Sequence, residues 1–253
     1  MSRETPAGAS PTHAFYELAD VTAAILAGGL GLRLRSVVTD RPKVLANIRG
    51  KPFLAFLLDQ LVAVGIRDVV LCTGYLGDQV RAVFGESYNN LRLSYSQEAA
   101  PLGTGGALRS ALPLFKSNPM LVMNGDSYCE TNLKDFYVWH RRRRANATLL
   151  LTQMLDTERY GRVQSADDGT VTHFEEKGRD NGSGWINAGI YLLNLELIRE
   201  IPENRAVSLE REVFPKWVGR GLYGFQAQAR FLDIGTPESY TSAGPFFAAG
   251  MLR

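Results

Sequence analysis

The stretch Ala23-Ala24-Ile25-Leu26-Ala27-Gly28-Gly29-Leu30-Gly31-Leu32-Arg33-Leu34, followed by Arg41-Pro42-Lys43, decides how this chain is read. The apolar run Val21 to Leu26 predicts a buried parallel strand. It ends in glycines, which let the backbone take positive φ and let a ligand approach the main chain. Successive N–H groups in such a loop form a concave anion site, and Arg33 and Lys43 add two fixed positive charges. The physical reading is a cradle for a polyphosphate; the competing reading is a plain strand-to-helix turn with two surface cations. The loop is not a dinucleotide fingerprint, because Leu34 follows Arg33 where a third spaced glycine belongs. It is not a Walker loop either: Gly50-Lys51 is followed by Pro52, not by Ser or Thr.

Outward from that loop, strand and helix signals alternate. Pro52 to Val64 has apolar residues near helical spacing, with Pro at the first turn and Gly65 at its end. Val69–Thr73 reads as a strand, Gly77–Phe84 as a short helix and Leu91–Ser96 as a half-exposed alternating strand. Pro101-Leu102-Gly103-Thr104-Gly105-Gly106 is a second glycine-rich turn, opening a helix through Leu112. Met120–Asn124 is a buried strand ending in Gly125-Asp126, Leu133–Arg144 a helix and Thr148–Met154 a strand. The pattern predicts an α/β fold with a mostly parallel sheet and helices on both faces. Ligands on such sheets sit beyond the carboxyl ends of the strands. The first glycine loop, Gly103–Gly106 and Asp126 all follow strand ends, so one crevice can gather them. Further on, Arg162–Ser165 and Val171–Phe174 flank Asp167-Asp168-Gly169, a hairpin signal. Ile186–Leu193 is an apolar strand, Leu209–Val218 a helix, and Tyr223–Gln226 and Phe231–Asp233 are strands. Thr236-Pro237-Glu238 starts a last helix, with Pro at N1 and an acidic first turn.

Composition bounds the rest. The chain of 253 residues has a formal net charge of +2 and 21 % charged residues, which makes no electrostatic case for nucleic acid or an anionic membrane. No apolar segment approaches the ~20 residues of a membrane span. Residues 1–19 read as a loose tail and 20–253 as one domain. Cys72 and Cys129 lie in or just after apolar runs and read as reduced thiols, which suits a cytoplasmic protein. His13, His140 and His173 show no metal spacing. Asp126 and Asp233 each close a strand; each reads either as a turn residue or as one of the two carboxylates that Mg²⁺ takes alongside substrate phosphates.

These strings resemble the signature of sugar-1-phosphate nucleotidylyltransferases. The residues that carry the resemblance are Leu26 to Leu34 with Arg41-Pro42-Lys43, Pro101 to Leu108, Asn124-Gly125-Asp126, Glu175-Glu176-Lys177, Ile186-Asn187-Ala188-Gly189-Ile190-Tyr191 and Asp233-Ile234-Gly235-Thr236-Pro237. They occur in the family's order and span roughly Val21 to Tyr240. The chain is most similar to the branch that guanylylates D-glycero-α-D-manno-heptose 1-phosphate, with mannose-1-phosphate guanylyltransferases close behind. The resemblance implies a Rossmann-like mixed sheet of the nucleotide-diphospho-sugar transferase type, Mg²⁺ as cofactor, and a nucleoside triphosphate and a sugar 1-phosphate as substrates. It gives Leu26, Ala27, Gly28, Gly29, Gly31 and Arg33 to the nucleotide, the Gly28–Gly31 amides and Arg33 holding its triphosphate, and Lys43 to the α-phosphate and incoming phosphate. Gly103 and Thr104 wall the base and ribose, and Asp126 and Asp233 hold the metal. Asn124, Gly161, Glu176, Lys177 and Asn187 face the sugar phosphate.

Two positions depart from the family pattern. Leu32 stands where a hydroxyl residue usually precedes the arginine, and Val44 stands where proline often follows the lysine. Neither removes a charge. Glu98 precedes Gly103 at the spacing where relatives read the base. A carboxylate accepts only and matches the adjacent N1–H and 2-amino donors of guanine. The neighbouring Gln97 would suit uracil or thymine, so the base depends on a one-residue register. A catalytically silent, sugar-nucleotide-binding regulatory subunit is the alternative from another class, and retention of Arg33, Lys43, Asp126 and Asp233 favours the enzyme. An edge strand or the C-terminal helix could pair two copies.

Overall fold

The computed structural model describes residues 18–175 and 182–250. Its ten-stranded sheet is built outward from β1 (Thr22–Ala27), which pairs in parallel with β2 (Asp68–Thr73) on one side and β4 (Met120–Asn124) on the other. β2 pairs in parallel with β3 (Leu91–Gln97). The crossovers are α1 (Phe53–Ala63), α2 (Gly77–Phe84) and α3 (Gly103–Ala111). Sequence order therefore reverses between β1 and β4, which is the switch point where such sheets open a crevice. Past β4 the pairing turns antiparallel. β5 (Ser127–Cys129) leaves the sheet, and α4 (Leu133–Arg143) leads to β6 (Ala147–Met154). β7 (Arg162–Ser165) and β8 (Val171–Glu175) form the expected hairpin. β9 (Gly184–Leu193) lies between β4 and β6, antiparallel to both, and touches β7 at Ile186. α5 (Leu195–Arg199) follows. β10 (Leu222–Ala227) adds in parallel to β6, and β11 (Phe231–Asp233) leaves the sheet to pair with β5.

Alternation along the central strands makes two apolar layers. Ile25, Leu71 and Met123 face α1 and the last helix, α7 (Pro237–Gly250), which contributes Phe247. Ala24, Val70 and Val122 face Leu108 and Ala111 of α3 and the segment from Leu209 to Trp217. That segment is a π-turn over Leu209–Val213 continued by α6 (Phe214–Trp217), where one helix was expected. Phe247 stacks on Phe56 of α1 with ring centroids 3.9 Å apart. Leu18, inside the expected tail, is 2 % exposed and packs into the first layer; residues 1–17 lie outside the described residues. Both cysteines are buried thiols, each pushed up to about 12 by burial. Among the described residues no helix is long and apolar enough to cross a membrane.

Candidate active site

Beyond β1 the chain from Gly28 to Pro42 forms no helix, only turns. Gly31 sits at φ +61°, a conformation glycine takes freely. A methyl placed there would lie 3.4 Å from Lys43 Cβ, so the lysine stem runs directly beneath the loop. Lys43 opens a 3₁₀ turn, Lys43–Leu45, closed by Leu45 N donating to Pro42 O (2.8 Å) and Ala46 N to Lys43 O (2.9 Å). Val44 is 4 % exposed and packs against Gly125. Burial of Val44 therefore pins the lysine turn that proline would otherwise stiffen. Leu32, the other departure, is 65 % exposed and contributes no packing.

Gly125 N donates to Leu26 O at 2.9 Å, and any side chain on Gly125 would meet that same oxygen at 2.6 Å. The glycine thus lets the end of β4 hug the end of β1, and it delivers Asp126 to the loop. Lys43 Nζ donates to Asp126 Oδ2 at 2.7 Å. Asp233 reaches the same place through the β5–β11 ribbon. Ser127 is the register partner of Asp233, and Ile234 N donates to Asp126 O at 2.9 Å. One short antiparallel ladder thus brings the backbones of the two aspartates, far apart in sequence, to adjoining positions. A methyl on Gly235 would lie 2.7 Å from Asp233 Oδ1 and 3.7 Å from both Arg33 Nη2 and Lys43 Nζ. One arginine head, one lysine head and the Asp233 carboxylate therefore surround one point at the mouth of the glycine loop, and Asp126 is joined to it through Lys43.

The donor set fits a magnesium ion. Asp126, just before the ribbon, and Asp233, at its end, are hard oxygen donors. Among the described residues no group of three His, Cys, Asp or Glu side chains forms a closed cage. Mg²⁺ characteristically takes one or two carboxylates and fills its remaining positions with water and substrate phosphates.

Of the two neighbours, Glu98 turns its side chain to the glycine loop. Its Oε1 would be 2.6 Å from a methyl on Gly28 and 2.8 Å from one on Gly74, and its Oε2 accepts from Leu102 N at 3.0 Å. The carboxylate is therefore held at the start of the glycine loop, and its pKa is raised, chiefly by burial. Gln97 is exposed and its amide lies near Gly77 instead.

The other expected residues are placed less uniformly. Leu26 and Ala27 end β1, and Leu26 is spent on the backbone bond to Gly125. Gly29 lies in the loop with open space around it. Gly103 takes φ +69° and packs on Val207, where a side chain would meet Val207 O at 2.6 Å; Gly106 likewise abuts Arg205 O. These glycines serve close packing of α3 on residues 205–207. Thr104 Oγ1 donates to Glu210 Oε2 (2.9 Å) and accepts from Leu209 N (2.8 Å), so its hydroxyl is turned into the fold. Asn187 Nδ2 donates to Tyr191 OH at 2.9 Å and Asn124 Nδ2 reaches the same oxygen at 3.4 Å. Tyr191 OH donates in turn to Glu210 Oε1 at 3.1 Å. The pairing of β9 with β6 breaks register between Asn187 and Tyr191, and Gly189 there has φ +75°. Asn124 Oδ1 is buried without a hydrogen-bond partner among the described residues. Gly161 follows Tyr160 at the start of β7. Glu176 and Lys177 lie outside the described residues.

Four contributors were not foreseen: Arg159, Tyr160, Tyr191 and Glu210. Arg159 and Tyr160 both bind the Asp233 carboxylate, and their only sequence cue is position just before Gly161. Tyr191 shares the Asn187 face of β9 by period-two alternation, a cue present in the string Asn187 to Tyr191. Glu210 carries no local signal.

An open α/β sheet with charged groups gathered at its switch point defines a phosphate-handling nucleotide enzyme. The nucleotidyl transferase family model matches residues 22–250, and the chain belongs to that family. It is 37 % identical over 222 residues to the D-glycero-alpha-D-manno-heptose 1-phosphate guanylyltransferase of Aneurinibacillus thermoaerophilus, covering 87 % of this chain and 96 % of that one. The mannose-1-phosphate guanylyltransferase of Mycobacterium tuberculosis is 35 % identical over 235 residues, 91 % of this chain and 66 % of that protein. The crystal structure of HddC from Yersinia pseudotuberculosis complexed with GMP-PN matches with a TM-score of 0.79 at 35 % identity, over 90 % of this chain and 99 % of that one.

Proposed function

We propose that the protein transfers GMP from GTP to D-glycero-α-D-manno-heptose 1-phosphate, releasing pyrophosphate, as a cytoplasmic Mg²⁺-dependent enzyme. The observation that carries this reading is the meeting of Arg33, Lys43, Asp126 and Asp233 beneath the glycine loop, with Glu98 at the loop's near end. Identity to the heptose 1-phosphate guanylyltransferases over nearly their whole length supports the sugar.

In the reaction a phosphate oxygen of the sugar 1-phosphate attacks the α-phosphorus of GTP. One phosphorus–oxygen bond forms, the bond to the β-phosphate breaks, and the electron pair leaves on pyrophosphate. Such transfer asks for alignment and charge neutralisation and little covalent work from the protein. Main-chain amides of Gly28 to Gly31 and the Arg33 guanidinium hold the triphosphate. Lys43, fixed beneath that loop, neutralises charge on both the α-phosphate and the attacking phosphate. The Glu98 carboxylate accepts from guanine N1–H and the 2-amino group. Asp126 and Asp233 would hold Mg²⁺, which shields the phosphate oxygens and the developing charge on the leaving group. Asn187 and Asn124, gathered on Tyr191, face the sugar phosphate together with Gly161.

The test is a pyrophosphate-release panel: GTP, ATP, UTP and CTP, each against heptose, mannose and glucose 1-phosphates with Mg²⁺. Turnover confined to GTP and highest with the heptose 1-phosphate is expected. A preference for mannose 1-phosphate would shift the reading to the function named for the mycobacterial relative. Silence throughout, with intact binding of a sugar nucleotide, would mark a regulatory subunit.

A further inference from the structure

Asp233 has no acceptor capacity left. Its Oδ1 accepts from Arg159 Nη2 (3.0 Å) and Gly235 N (2.8 Å). Its Oδ2 accepts from Arg159 Nη2 (3.2 Å) and Tyr160 OH. An ionised carboxylate offers about four lone-pair sites, so a cation can join Asp233 only if a donor leaves. Gly235 N is fixed by the turn after β11. Tyr160 is half-buried, its ring edge-on to Phe231 at 5.6 Å. Arg159 is different: its side chain is 43 % exposed, against 15 % for Asp233. It alone of these donors carries the charge sign of the incoming metal. Asp126, by contrast, is 48 % exposed and shares one oxygen with Lys43.

Resting on the reading of Asp233 as a metal ligand, we propose that Arg159 is a place-holding cation. It neutralises Asp233 while the site is empty of metal, is displaced when the metal arrives with its phosphates, and then turns its guanidinium onto those phosphates. An exposed stem next to the crevice gives it the reach, and planar donors suit a phosphate bidentately. Arg159 thereby exchanges one anionic partner for another, so the aspartate is never left as an unpaired, largely buried charge.

The experiment uses the full chain and Mn²⁺ as probe, with free Mn²⁺ counted by electron paramagnetic resonance and no nucleotide present. Removing a competing cation predicts that Arg159→Ala binds Mn²⁺ roughly two- to fivefold more tightly than the unaltered protein, the range of an exposed ion pair, with Arg159→Lys in between. With Mn²⁺ saturating, inorganic pyrophosphate should bind Arg159→Ala several-fold more weakly. Mn²⁺ affinity unchanged or weakened in Arg159→Ala overturns the proposal, because a residue that merely positions Asp233 acts in that direction. Pyrophosphate binding unaffected in that variant removes the second half of it. Asp233→Asn separates the two levels: if it binds Mn²⁺ as the unaltered protein does, the metal-ligand reading itself fails.

Discussion

Lys43 and Glu98 mark the two ends of the phosphate loop, and each carries a prediction. Replacing Lys43 by Ala removes the ammonium that faces Asp126 and, on the proposed mechanism, the charge that offsets the attacking phosphate. Electrostatic groups of this kind are worth about 10²–10³ in kcat, so Lys43→Ala should lose that much in pyrophosphate release. It should keep its thermal midpoint within a few degrees, since the partner carboxylate is half exposed. For Glu98, Glu98→Gln should raise KM for GTP far more than for UTP, because an amide presents a donor to the guanine edge. Unchanged GTP kinetics would remove the base assignment. The same carboxylate predicts a pH dependence. Burial raises the Glu98 pKa, and the protonated form cannot accept both guanine hydrogens. Affinity for GTP should therefore fall, as pH drops, above the range where an ordinary glutamate protonates. A GTP KM profile flat to that point would contradict it. The register that separates Glu98 from Gln97 was not legible in sequence; it depends on which side chain a strand end turns towards Gly28.

At the level of elements, most of the sheet could be read from periodicity. Gly77–Phe84, Met120–Asn124, Arg162–Ser165 and Phe231–Asp233 have the bounds the apolar pattern gives, and other strands and helices differ by one or two residues. What escaped was short. Ser127–Cys129 spans three residues and has no apolar run to mark it, yet it carries the ladder that brings Asp233 beside the chain at Asp126. The π-turn over Leu209–Val213 likewise has no pattern distinct from a helix. It is held by Ser208 Oγ, which accepts from Arg211 N at 3.2 Å, and it brings Glu210 to Tyr191. Two predictions belong here. Gly125→Ala drives a methyl against Leu26 O; a rigid backbone contact of that kind should cost about 1–3 kcal/mol in urea unfolding, with kcat falling because Asp126 moves. Tyr191→Phe strands Glu210 Oε1 and the Asn187 amide, a cost of about 1–3 kcal/mol. It should raise KM for the sugar 1-phosphate more than KM for GTP. Equal shifts in both would show that the network serves only the fold.

Across the whole molecule, the last helix is part of the core. Phe247 is 8 % exposed, stacks on Phe56 and meets Phe53 and Tyr128 edge-on. Phe247→Ala should cost about 3–5 kcal/mol of stability, read as a lower urea midpoint with unchanged slope. Because the first turn of α7 also holds Ser239 against Asp233, loosening it should reduce catalysis before global unfolding. The fold class was legible because many long segments agree with one another, whereas this coupling was not, since it depends on where a terminal helix lands.

The narrow ribbon made by Ser127–Cys129 and Phe231–Asp233 sets a rule for judging related chains. Catalytic competence here is written in backbone pairing as much as in the inventory of charged residues. A slip of one position along that ladder would turn each side chain to the opposite face and aim one carboxylate away, with no ionisable group altered. A homologue can thus retain every acid and base and still be inert, and the three residues after Asp126 are to be compared before the aspartate itself.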